Sequence, residues 1–442
     1  MSPYKCYYSH NVGLADLTEK TFRILPLSRE SVREHLGGAT LNTHLFRQYE
    51  EKDPLILGTG PLTGSFAPAS CLLVATFKPA GDSKPVHVPL TLRTGPEMKF
   101  CRLDFLVLYG RSSSPALLKI RSGDGNFADG AAVHGKNLTE AHRFLIQAGE
   151  YRSSLLAGRA GGLGVARAAA QVGLSGSWDK AGLALWMGQR NLEGILFQGT
   201  DGLFFGEDHE TLSLELGKRI RLKEGKSEGF RTLLKKTGWD DPGREVFRGT
   251  GQKVMACYHC LFPCMTWLSF SNRHFVSGRE KTQREVLWLT DPAGFMALKE
   301  KRPADILPLF RACREFGLDP RSVAPALDEG NPYSDTLVRL ENLLLENHRE
   351  SPPVQEEVSH PFLSGMPSPA FPGMEEKRAA LAEKKMAAAM VLGICPLFLL
   401  LAPSVDVSDY LKFLPGEKGA ADFYREKVEN LSERLIRENQ AS

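Results

Sequence analysis

Cysteine is scarce in this chain, eight among 442 residues, too few over that length for a disulfide scaffold. Net charge is scarce as well. Lys and Arg number 55 against 52 Asp and Glu, a balance of +3 with histidine neutral. That gives no basic face for nucleic acid or for an acidic membrane, and neither is expected as a partner. The first thirty residues hold no basic segment followed by an apolar core, so no secretory signal is expected and the cytoplasm is the expected compartment. Long apolar runs are lacking too. The nearest candidate, Met386 to Ala402, is uncharged but short for a membrane span and interrupted by Gly393, Cys395 and Pro396. It reads as a buried helix running into a loop.

What is present is a local concentration of thiols. Cys257-Tyr258-His259-Cys260-Leu261-Phe262-Pro263-Cys264 places three cysteines at C-x2-C-x3-C spacing, and Cys395 follows far downstream in Gly393-Ile394-Cys395-Pro396. Three clustered cysteines and one distant one supply the four thiolates of a [4Fe–4S] cluster, one per iron, and Cys-Pro also closes ferredoxin-type runs. Zinc, buried structural cysteines and disulfides are the competing readings. Zinc sites favour two short knuckles, and the chain has no second one. His259 reads as an outer or solvent-facing residue. Cys6, Cys71, Cys101 and Cys313 are scattered through the sequence and expected reduced.

The length suggests two or three domains, and the fold class expected is α+β. Residues 1–206 read as a β-rich N-terminal domain. A hairpin is expected over 13–27, then a helix capped by Ser28 and ended by Gly37-Gly38. Strands follow at 55–57, 71–77, 86–92, 105–109, 116–120, 163–172 and 192–198, with a helix at 138–147. Residues 207–350 read as a helical domain carrying the cysteine loop, with helices at 212–222, 230–236, 292–299 and 304–316. Residues 351–374, with six prolines between Pro352 and Pro372, read as a linker. Residues 375–442 read as a shortened helical C-terminal domain. Its final helix carries Tyr424, Val428, Leu431 and Leu435 on one face.

Several stretches, in order, resemble the aldehyde:ferredoxin oxidoreductase family of tungsten–pterin enzymes. Gly60-Pro61-Leu62-Thr63-Gly64 with Ala67-Pro68 resembles the family's G-P-L-T-G-x-x-A-P loop. Met187-Gly188-Gln189-Arg190-Asn191-Leu192 resembles its M-G-S-K-N-L segment, and residues 257–264 resemble its cluster loop. Gly317-Leu318-Asp319 and Gly393-Ile394-Cys395 stand at its two D-x-x-G-L-C/D motifs. The resemblance implies a [4Fe–4S] cluster on Cys257, Cys260, Cys264 and Cys395. It also implies ferredoxin or another redox subunit as partner, within a homo- or hetero-oligomer.

The chain also departs from that pattern. Ser70-Cys71-Leu72 stands where the family has a Gly-Gly-Arg turn, and Arg93-Thr94-Gly95 replaces its N-S-G-G loop. Gly176-Ser177-Trp178-Asp179-Lys180-Ala181-Gly182 replaces H-R-A-A-G-R-G-G, with Lys180 at an arginine position. Arg314 and Met390 stand at the leading aspartates of the two D-x-x-G-L motifs. Pterin phosphates need close backbone N–H groups and forked guanidinium donors. No tungstopterin or molybdopterin is therefore expected. Arg279-Glu280, Glu285, His348 and His360 match no catalytic motif, and no catalytic residue is assigned. The expected function is that of an electron-transfer subunit. An active aldehyde oxidoreductase and a non-redox assembly paralogue are the alternatives.

Overall fold

The computed structural model describes residues 7–147, 151–175, 179, 181–203, 208–224, 229–236, 245–276, 279–326, 340, 376–414 and 420–440. The fold is α+β. The first sheet has the order β2-β1-β6-β3-β4-β5. Its strands are β1 (Asn11–Asp16), β2 (Thr21–Pro26), β3 (Leu55–Thr59), β4 (Leu73–Phe77), β5 (Val86–Leu90) and β6 (Phe105–Tyr109). Only the β1–β6 pair is parallel. Strands β3, β4 and β6 are buried at every position, as expected of strands covered on both faces.

Helix α1 (Arg29–His35) begins where Ser28 accepts hydrogen bonds from the amides of Glu30 and Ser31, the usual service of an N-cap serine. Gly37-Gly38 ends α1 as expected and also opens α2 (Gly38–Gln48), which the sequence reading missed. Asn42 of α2 donates to the Val74 carbonyl and to Thr76 Oγ1 of β4, at 2.8 and 3.0 Å. These bonds fix the helix on the sheet. Helix α3 (Thr94–Phe100) follows β5.

The second sheet runs β10-β9-β11-β7-β8, built from β7 (Ala116–Arg121), β8 (Asp124–Asp129), β9 (Ser153–Leu156), β10 (Gln171–Val172) and β11 (Leu192–Gln198). Helix α4 (Leu138–Gln147) packs beside it. The strand expected over 163–172 is corrected to turns that follow a short helix α5 (Gly158–Gly162) and to the two residues of β10. Gly164, at φ +73, turns the chain within that apolar run. Helix α6 (Leu183–Gln189) precedes β11.

The later part carries helices α7 (His209–Glu224) and α8 (Phe230–Lys236). It also carries an antiparallel sheet that the reading did not assign, made of β12 (Gly251–Met255), β13 (Met265–Val276) and β14 (Arg279–Leu289). Helices α9 (Pro292–Met296), α10 (Pro303–Phe316) and α11 (Pro320–Val323) follow. Gly317 ends α10 in the left-handed conformation. The C-terminal part holds α12 (Glu376–Leu392), α13 (Pro396–Leu401), α14 (Val407–Leu411) and α15 (Ala420–Gln440).

Tyr424, Val428, Leu431 and Leu435 are buried along α15. Residues 386–399 are buried throughout, and no described helix is long and apolar enough to cross a membrane. The expected linker at 351–374, with His360, and also His348, Cys6 and Lys180, lie outside the described residues.

A candidate metal centre of cysteines from two segments

Three loops meet at the cysteines. The first is residues 60–72 between β3 and β4, the second is the 257–264 run between β12 and β13, and the third is residues 393–395 between α12 and α13. The first and third are clamped by backbone bonds. The Leu62 amide donates to the Leu392 carbonyl at 2.9 Å, Leu72 to Gly393 at 3.3 Å and Cys395 to Ala69 at 2.9 Å. Thr63 Oγ1 accepts from the Gly60 amide at 3.0 Å and donates to the Leu72 carbonyl at 2.9 Å.

The approach requires glycine on both sides. A Cβ on Gly60 would stand 2.2 Å from the Gly393 amide. One on Gly393, at φ +86, would stand 2.1 Å from Thr63 Oγ1. The glycine-rich loop of the N-terminal sheet is thus a seat for the C-terminal cysteine turn.

The cysteine run joins the same seat. The Ala69 amide donates to the His259 carbonyl at 2.9 Å, the Tyr258 amide to the Leu92 carbonyl at 2.9 Å, and the Tyr258 hydroxyl to the Gly64 carbonyl at 3.2 Å. Ala69, Leu92 and His259 all adopt positive φ, +61, +71 and +51. Left-handed backbone at non-glycine residues costs about 1–2 kcal/mol each, and Ala69 and His259 adopt it within two of the interlocking loops. Such strain concentrates at functional sites.

These bonds bring the four expected cysteines together. Burial raises the Cys260 and Cys264 thiols well above the usual range, and the nearby Cys257 and Cys395 add to the rise. Cys395 is buried, whereas Cys257, Cys260 and Cys264 are partly accessible. Cys260 Sγ lies 3.3 Å from the Phe262 carbonyl. Among the described residues, no three His, Cys, Asp or Glu side chains close around a single ion. The thiols are therefore a loose set rather than a preformed tetrahedron. Four thiols, one from a remote segment, nevertheless match in number and chemistry the donors a [4Fe–4S] cube takes. His259 is exposed, with its ring edge-on to Phe66 at 5.5 Å.

Sequence reasoning missed two residues of this centre. Cys71 is fully buried. The neighbouring Cys257 and Cys395, ahead of burial, hold its thiol well above the usual range, and the Cys257 thiol is lowered, chiefly by Cys71. Tyr410 is also fully buried, and its hydroxyl donates to the Pro68 carbonyl at 2.9 Å. Burial raises its phenol first, followed by Cys260 and Cys395. Cys71 stands outside the C-x2-C-x3-C run and Tyr410 belongs to no motif, so only the folding of loop 60–72 against the cysteine run could have pointed to them.

The departures at the expected pterin positions have structural counterparts. Asp179 is buried. Its carboxylate accepts from the amides of Ala181, Gly182, Leu183 and Ala184 at 2.9–3.2 Å and of Ala170 at 3.0 Å. The chain's own anion thus fills the N–H nest that opens α6. Arg314 pairs with Asp291 at 3.4 Å, both buried, and Met390 is buried within α12. Glu285 is buried against Arg311 at 3.4 Å. Arg279 and Glu280 lie on β14, paired with Val276 and Phe275 of β13.

Comparison with known proteins places this architecture. Residues 13–199 match the family described as aldehyde ferredoxin oxidoreductase, N-terminal domain. A tungsten-containing aldehyde ferredoxin oxidoreductase of Pyrococcus abyssi (strain GE5 / Orsay) is 26% identical over 196 residues, 42% of this chain and 32% of that protein. Less than half of that relative's length is therefore matched. The solved active site complex BamBC of benzoyl coenzyme A reductase, in complex with 1,5 dienoyl-CoA, shares the fold. Its TM-score is 0.71 at 14% identity, over 97% of this chain and 89% of that one.

Proposed function

We propose that this chain, whose residues 13–199 match the N-terminal domain of the aldehyde ferredoxin oxidoreductase family, is an iron–sulfur redox protein of that family, an electron-transfer subunit that keeps the family's cluster and has lost its tungstopterin site. The observation that carries this reading is the seating of the Cys395 turn on the Gly60–Leu72 loop, beside Cys257, Cys260 and Cys264. Those four cysteines are the proposed ligands. A [4Fe–4S] cluster held there supplies one-electron transfer.

The chain's own residues do the rest. Gly60, Thr63 and Gly393 let the two segments close, and the buried Cys395 shields one side from water. Phe66 and Leu261, 42% and 37% exposed, flank the exposed His259. They form the rim where ferredoxin or another redox subunit would dock in a cytoplasmic hetero-oligomer.

Loss of the pterin is supported by Asp179, whose carboxylate takes the amides an anionic cofactor would use. The Arg314–Asp291 pair supports it too, as does the Ser70-Cys71-Leu72 turn, which has neither glycine nor arginine. A second reading, an active aldehyde oxidoreductase, is favoured by the match to a tungsten-containing relative.

Anaerobic purification of the full chain, with iron, sulfide, zinc, tungsten and molybdenum measured together, tests these readings. The expected result is iron and sulfide in equal amounts with no tungsten or molybdenum. Stoichiometric tungsten establishes the aldehyde oxidoreductase, and zinc without sulfide leaves a non-redox assembly protein.

A further inference from the structure

We propose that the cavity between α6 and the turn joining β4 to β5 binds a free α-amino acid with an apolar side chain. The inference is independent of the cluster reading above, because the cavity lies at the other end of the first sheet from the cysteines.

Two strands fix that placement. Asp53 precedes β3, which runs into the Gly60 loop, and Lys78 follows β4, which starts just after Cys71. The strands are antiparallel, with Ile56 opposite Thr76 and Thr59 opposite Leu73. One end of the pair therefore carries the cysteine seat, and the other carries Asp53 and the 78–82 turn. Helix α6 closes the far wall with Leu185, Trp186 and Arg190, and the space enclosed is about 390 Å³. Ligand pockets run from roughly 300 to 1,000 Å³, so this one suits a small ligand.

The walls are held in place by the fold. Asp53 adopts the left-handed backbone, at φ +46, and its carboxylate pairs with Arg190. The Arg190 guanidinium stacks on the Trp186 ring at 4.0 Å and donates to the Trp186 carbonyl at 3.3 Å. These contacts fix the guanidinium and leave donors of its fork unused. Trp186 is 3% exposed, and its ring N–H has no hydrogen-bond partner among the described residues. The Asp82 amide donates to the Pro79 carbonyl at 3.1 Å and closes the turn. Gly81, at φ +89, has nothing within 4 Å of the place a Cβ would take.

The charges select the ligand. The lining carries both signs, Lys78 and Arg190 with Asp53 and Asp82, and Lys78 has no ion pair among the described residues. The two carboxylates oppose a dianion, and the two cations oppose a bare amine. A phosphate finds no free amides, since those of Ala181 and Gly182, which also line the cavity, donate to Asp179 at 3.2 and 3.1 Å. A zwitterion with an apolar body meets the whole set. Its carboxylate takes Lys78 and the unused Arg190 donors in charge-assisted bonds. Its ammonium takes Asp53 and Asp82, and its side chain lies against Pro79 and Leu185.

The test is isothermal titration calorimetry of the full chain with three probes. L-Phenylalanine has both charges, phenethylamine lacks the carboxylate and 3-phenylpropionate lacks the ammonium. L-Phenylalanine is expected to bind, and each analogue to bind at least about tenfold more weakly, the usual cost of losing a hydrogen bond to a charged group. Lys78→Ala and Asp82→Asn should each weaken L-phenylalanine by a similar factor at the parental melting temperature. In the unsubstituted chain, L-phenylalanine should slow hydrogen exchange across residues 78–82 and α6, a readout that needs no variant.

No heat and no added protection with L-phenylalanine at about 5 mM, beyond the millimolar range of weak sites, overturn the inference. Equal binding of either analogue overturns the zwitterion assignment. Protection elsewhere in the chain, or full affinity in both variants, removes the site from this cavity. None of these outcomes bears on iron or sulfide, so the cluster reading stands or falls separately.

Discussion

The amide of Cys395 donates to the carbonyl of Ala69 at 2.9 Å. That bond joins residues 326 positions apart in the chain, at a point where a cysteine alone would not explain the contact. Around it Gly393, at φ +86, lies so close to Thr63 that any Cβ would collide with Oγ1. Gly393→Ala should therefore lower stability by about 1–3 kcal/mol, through the clash and the left-handed backbone. It should also reduce retained iron while leaving Cys257, Cys260 and Cys264 intact. Urea unfolding and iron content after desalting measure both. A variant with parental stability and iron would mean that the seating is not needed to bring Cys395 into place.

Replacing a proposed ligand gives a different signature. Cys395→Ser keeps the size and the amide bond to Ala69 but removes the thiolate. The expected outcome is loss of much of the iron, and faster hydrogen exchange across α12 and α13, where Met386 to Leu399 are buried. Cys101→Ser, at a buried thiol outside the centre, should leave iron unchanged. Equal iron in Cys395→Ser and its parent would remove Cys395 from the ligand set.

Much of this was legible in the sequence, for identifiable reasons. The hairpin of β1 and β2, the Ser28 cap, helix α10 ending on Gly317 and the buried face of α15 each rest on local signals: alternation, a capping side chain or helical spacing. The expectation that Cys257, Cys260, Cys264 and Cys395 act as one set came from thiol chemistry and spacing. Features that depend on tertiary contact were missed. Helix α2 opens on the same Gly37-Gly38 pair that ends α1, and a glycine pair reads only as a stop. Strands β13 and β14 bury Leu268, Phe270 and Leu287, but charged residues toward their far ends mask the alternation. Cys71 looked isolated because its neighbours lie 186 and 324 positions away, and no local pattern encodes such a distance.

The Arg314–Asp291 pair offers a test of how the second half is stabilised. Both side chains are nearly inaccessible, 4% and 3% exposed. Asp291 also accepts from the Gly294 amide at 3.0 Å, at the start of α9. Arg314→Leu should therefore destabilise by about 3–5 kcal/mol, because it strands a buried carboxylate. The double variant Arg314→Leu with Asp291→Asn should recover part of that loss. Denaturant midpoints of the parent, Arg314→Leu, Asp291→Asn and the double variant measure the coupling, and additive losses would deny it.

Acid sensitivity should come from histidines held neutral by the fold. His87 pairs across the sheet with Thr76, its Nδ1 2.8 Å from Thr76 Oγ1, and burial lowers its pKa to about 4. His35, stacked on His44 at 4.3 Å, is also lowered to about 4, by burial first and then by His44 and the cations around it. The unfolded chain binds these protons near the ordinary 6.5, so between about 4 and 6.5 it holds more protons than the folded one. Stability should be full above pH 6.5 and fall as the pH drops through that window, by up to about 3 kcal/mol for a shift of this size. His87→Gln cannot take up the proton and should flatten part of the fall. Adding His35→Gln should flatten it further, and what slope remains should come from His44, His142, His209 and His259, which burial also lowers. Urea midpoints at pH 7 and pH 4.5 read the difference, and an unchanged slope in the double variant would assign the acid sensitivity to other groups.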